Sequence, residues 1–103
     1  MTESTDTHAT AEALRRVRAD GPSPATSAML HTIAERLSTV RPTGEIAEPR
    51  RLALALRVAT DVHGLGTPPA LRAERDLLAH MPTVRPSETR GEYALRLRKV
   101  AGR

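Results

Sequence analysis

The sequence predicts an all-α fold, a compact bundle of four to five short helices. Three observations carry this expectation. Apolar residues recur at three- and four-residue spacing, which gathers them on one face of a helix. The periodic stretches open at Ser-Pro or Thr-Pro pairs and close at Gly or Pro, the punctuation of helix ends. No run of alternating β-branched residues reads as a strand.

Residues 1–8, MTESTDTH, read as a disordered lead, and residues 9–103 as a single helical domain. "TAEALRRVRADG" is a short helix candidate ending at Gly21, with a weak apolar strip from Ala13, Leu14 and Val17. The next start is clearer. Ser23 stands at an N-cap with Pro24 in the first helical position, and Leu30, Ile33, Leu37 and Val40 follow at helical spacing. Pro42 stops this helix at Arg41.

A third helix begins near Pro49 and ends at Gly64. Leu52, Ala55, Leu56, Val58, Ala59 and Val62 cover well over half its circumference, so it is expected at the centre of the bundle. The fourth has Thr67 as cap, Pro68 and Pro69 in its first turn, and Pro82 after it. The fifth starts at Glu88 or Arg90 and runs to Ala101. Its cap is Ser87, or else Thr89 in a capping box with Glu92. Tyr93, Leu97, Val100 and Ala101 form its core face.

The segment "TVRP" occurs at residues 39–42 and again at 83–86, 44 residues later. Each copy follows a helix that opens with Ser-Pro or Thr-Pro. At the same offset Ile33 matches Leu77, Leu37 matches Met81, and Val40 matches Val84. Residues 22–64 and 66–103 are therefore candidate repeats, two tandem αα-hairpins of the form helix–TVRP–helix. Coincidence is the competing explanation in a chain rich in Ala, Leu and Arg.

Composition limits the function classes. The core must be aliphatic, because the chain has one Tyr and neither Phe nor Trp. A thin core of this kind invites a partner or self-association. There is no cysteine, which excludes disulfides and thiolate metal sites. No signal peptide or membrane-length apolar run is evident, and a cytoplasmic location is expected. The formal charge is +4, and 15 of the 16 basic residues are Arg. With Ala, Leu and Pro also abundant, that bias reads first as a high-GC bacterial genome.

Candidate chemistry is sparse. His8, His31, His63 and His80 are scattered; His63 is expected on the apolar side of its helix end, and the His31/Glu35 pair lacks a second pair to complete a metal site. "HGLGTPPA" contains G-x-G but follows a helix, so it reads as a linker rather than a nucleotide loop. Glu74 interrupts an apolar face and needs a rim position or an Arg partner. No nucleophile stands at informative spacing from a base, and no cofactor is implied.

What remains is binding. Leu54 and Leu95 occupy matching repeat positions off the main apolar faces, each followed three residues later by Arg57 or Arg98. They are expected to pack inside the bundle or, failing that, to form an apolar spot rimmed by arginine, suited to a protein partner. The leading expectation is a small non-enzymatic protein acting through protein–protein interaction, as an adaptor or an accessory or regulatory subunit. The alternative is a basic DNA-binding regulator using Arg96, Lys99 and Arg103, which are spaced as a stripe on the last helix. Glu92 on that stripe and the favourable pairing of cations with a helix C-terminus weigh against it. So does the long, proline-punctuated "PTVRPSE" connection where a helix-turn-helix needs a short turn.

Overall fold

Three of the four helices begin where Ser or Thr precedes a proline, or at a capping box. The computed structural model describes residues 21–102 and has four helices: α1 (Pro24–Thr39), α2 (Glu48–His63), α3 (Pro68–His80) and α4 (Arg90–Ala101). The Ser23 side chain accepts a hydrogen bond from the Thr26 amide at the start of α1 (3.2 Å), and Thr67 accepts one from Ala70 at the start of α3 (3.2 Å). At α4 the cap is Thr89 rather than Ser87. Its hydroxyl accepts from the Glu92 amide (3.1 Å), while the Glu92 carboxylate accepts from the Thr89 amide (2.8 Å). Only α2 starts without a side-chain cap, at Ala47. The expected lead 1–8, the helix candidate before Gly21, and Arg103 lie outside the described residues.

The closest packing pairs the first helix with the last and the two middle helices with each other. The Ser27 hydroxyl donates to the Ala101 carbonyl (2.5 Å), tying the N-terminus of α1 to the C-terminus of α4, so this pair is antiparallel. A turn at residues 64–67 joins α2 to α3, with Gly64 (φ 95°) and Gly66 (φ 71°) in the left-handed region that favours glycine. The helices within each candidate repeat touch less than the helices between repeats. In effect, the two helix–linker–helix segments exchange partners.

The linkers lie against each other. Glu45 and Thr89 form an isolated antiparallel bridge, and these residues are 44 apart, the same offset that separates the two "TVRP" copies. Ile46 donates to the Glu88 carbonyl (2.9 Å), Arg90 to Gly44 (2.8 Å) and Gly91 to Pro42 (2.8 Å). A twofold axis through this bridge would carry the α1–α4 contact onto α3–α2, which is the pairing observed. The approach is close at residue 91, where a Cβ would meet the Pro42 carbonyl oxygen at 3.1 Å and the linker backbone would have to give slightly.

The central helix is α1, not the 48–63 helix expected there. It packs on all three others and buries Thr26, Met29, Leu30, Ile33, Ala34 and Leu37. In α2 the buried face is Arg51, Leu54, Ala55, Val58 and Ala59. Leu52 and Leu56 remain 47% and 46% exposed. The reason is neighbour number: α2 packs mainly on α3, and one close neighbour cannot cover an apolar arc that wide. Its last turn also runs past the core, which leaves Val62 and His63 exposed. Glu74 is only partly exposed, at the rim.

Tyr93 is fully buried and donates its hydroxyl to the Pro82 carbonyl (2.5 Å). Burial pushes its phenol well above the ordinary range. Ile46 is also buried, although it sits in a linker with no periodic pattern to mark it. Alanines at 34, 55, 59, 73, 94 and 101 are buried in the same core, and their small side chains let the helix backbones approach closely.

Candidate interaction surface

The two leucines matched by the repeat have opposite fates. Leu54 is 9% exposed and belongs to the hydrophobic core, which removes it from any surface patch. Leu95 is 60% exposed. The last helix turns its Tyr93/Leu97/Ala101 face toward α1, and that orientation directs residue 95 outward. Arg57 is highly exposed, with Nε 3.6 Å from Asp61 Oδ1. Arg98 pairs with Glu35 across α1 and α4 at 3.7 Å. The four residues therefore do not form one spot.

The basic stripe of α4 is also divided. Arg96 Nη1 donates to Glu88 Oε1 at 2.6 Å, and Nη2 reaches the Thr83 carbonyl at 3.3 Å. Its guanidinium lies 5.6 Å from the centre of the Tyr93 ring, within cation–π range. These contacts commit Arg96 to the fold. The Glu88 side chain is only 4% exposed and that of Arg96 is 22% exposed, so the pair is mostly withdrawn from water. Glu88 Oε1 also accepts from the Arg85 amide (2.9 Å), a donor that a buried carboxylate needs. Lys99 is exposed. Arg103 lies beyond the described residues.

A different feature stands out on the surface. Of the large apolar side chains left exposed, Leu52, Leu56, Val62, Leu65 and Leu71 all lie on α2, the following turn or the start of α3. Elsewhere there are Val40 and Leu95. Leu52 and Leu56 are one turn apart on α2, with Ala53 and Arg57 beside them on its outer side. Leu52, Leu56 and Val62 read as core from their spacing along the chain. Periodicity shows that a face is apolar without showing whether a neighbour covers it.

Among the described residues, no group of three or more His, Asp or Glu is placed to hold a metal ion. No helix among them is long and apolar enough to cross a membrane. No family model matches this chain, and neither a curated protein nor a solved structure similar to it was found.

Proposed function

We propose that this chain is a non-enzymatic, cytoplasmic bacterial protein that acts by binding another protein along the outer face of α2 and α3. It would serve as an adaptor or as an accessory or regulatory subunit. The supporting observation is the concentration of exposed Leu and Val on that one pair of helices. Exposed apolar area of this kind is normally scattered on a monomer, and its clustering marks an interaction surface. Arg57 beside the leucines and the formal charge of +4 favour an amphipathic partner helix with acidic residues along its edge. The DNA-binding alternative loses support because Arg96 is held by Glu88 and Tyr93.

The test starts from affinity capture with the full chain and then measures binary affinity with each purified candidate. Replacing both leucines, Leu52→Ser with Leu56→Ser, should weaken a genuine complex by about tenfold or more, the size of a modest interface hot spot. Circular dichroism should stay unchanged. Unaltered affinity in the double variant, or a complex lost only together with folding, would remove α2 from the interface.

A further inference from the structure

The linker end of the bundle carries a cleft of about 700 Å³, between the segment leading into α2 and the start of α4. Arg41, Arg50 and Arg90 line it, together with Glu45 and an apolar wall that includes Pro49 and Ala53. We propose that this cleft binds a phosphate-class oxyanion. The inference does not rest on the protein-binding reading, although Ala53 borders both surfaces.

The first support is charge. None of the ion pairs formed among the described residues engages Arg41, Arg50 or Arg90. Arg90 is steadied by donating Nε to the Val40 carbonyl (2.8 Å), an acceptor that leaves the arginine charge uncompensated. With Glu45 as the one carboxylate in the lining, two positive charges are in surplus, and a phosphate dianion matches that balance. Guanidinium groups also present paired donors that fit phosphate oxygens.

The second support is placement. Arg50 lies in the first turn of α2, and Arg90 is the first residue of α4. Both sit at the positive end of a helix dipole, where a cation is disfavoured and an anion is stabilised. Arg41 holds a left-handed backbone conformation (φ 52°), which is costly for a side chain with a Cβ. The lining contains no aromatic side chain, so a nucleobase would have nothing to stack on.

The test is an amide NMR titration of the full chain with inorganic pyrophosphate at constant ionic strength. Saturable shifts should appear at Gly44, Arg50 and Arg90. The double change Arg41→Gly with Arg50→Gln should weaken binding by about tenfold or more, through loss of charge-assisted bonds. A control change of Arg72 and Arg75 on α3 to Gln should leave binding unaltered. Arg41→Gly alone should match or raise the melting temperature, because glycine relieves the left-handed strain. Shifts that fail to saturate, or equal binding by the double variant, would overturn the proposal. So would duplex DNA binding without saturable pyrophosphate binding, which would assign these arginines to general attraction for a nucleic-acid backbone.

Discussion

The Glu88–Arg96 pair makes an asymmetric prediction that its unequal burial determines. Glu88 is the deeper partner, with a side chain 4% exposed against 22% for Arg96. Changing Arg96→Met removes the cation and leaves a buried carboxylate whose remaining hydrogen-bond partner is the Arg85 backbone amide. A stranded buried charge costs about 3–5 kcal/mol, and the edge exposure of this pair places the expected loss near the lower bound, about 3 kcal/mol. Changing Glu88→Gln instead keeps the shape and an acceptor oxygen. It removes the negative charge from a 2.6 Å hydrogen bond, and the arginine, as the more exposed partner, can turn toward water. That substitution should cost about 1–1.5 kcal/mol. The double variant should be more stable than the sum of the single effects implies, by about 1 kcal/mol or more.

Urea melts followed by circular dichroism would measure all three, with the midpoint moving and the slope unchanged. In thermal melts each kcal/mol corresponds to about 4–8 °C for a domain of this size. If Glu88→Gln proves as costly as Arg96→Met, or the two effects simply add, the pair is not a coupled buried unit and the reasoning fails.

Three further outcomes follow from the packing. Leu54→Ala should cost about 2–4 kcal/mol, as for other buried leucines, whereas Leu95→Ala should stay within about 0.5 kcal/mol; equal costs in denaturant melts would refute their different placement. Arg51 is buried, and its Nε lies 3.0 Å from Glu48 Oε1 but is not aligned to donate, while Nη1 has no partner. Arg51→Met should therefore be neutral or stabilising, and a loss above about 2 kcal/mol would show that the ion pair is worth more than its desolvation. The Thr89 amide and hydroxyl hold the Glu92 carboxyl below its ordinary value of 4.5. Its contribution is then complete above that pH and lost as pH falls through the lowered value. Glu92→Gln should flatten the acid side of the stability–pH curve, and an unchanged curve in pH-dependent melts would exclude a role for the Thr89–Glu92 box.

The helices were legible because their signals are local. Ser23-Pro24, Thr67-Pro68, Thr89 with Glu92, and Gly64 each act within a few residues of chain, through capping or allowed backbone angles. The stripes Leu30/Ile33/Leu37 and Tyr93/Leu97/Ala101 were legible for the same reason, since each lies along one helix. Which face of a helix finds a neighbour is not local. Leu52 and Leu56 read as core by period, yet α2 has one close neighbour and exposes them. Leu54 and Leu95 read as equivalent, yet one lies in the core and the other faces outward.

The cleft could not be read from the chain at all. Arg41 and Arg90 are 49 positions apart and are brought together by the bridge between Glu45 and Thr89. Local chemistry along the chain sets where helices start and stop and which residues are apolar. Packing between distant segments settles which apolar faces are covered, that Arg96 serves the fold, and that Arg41, Arg50 and Arg90, outside every ion pair among the described residues, line one cleft. The physical reason is that capping and helical periodicity act along the chain, whereas burial and charge pairing depend on what the rest of the chain places alongside.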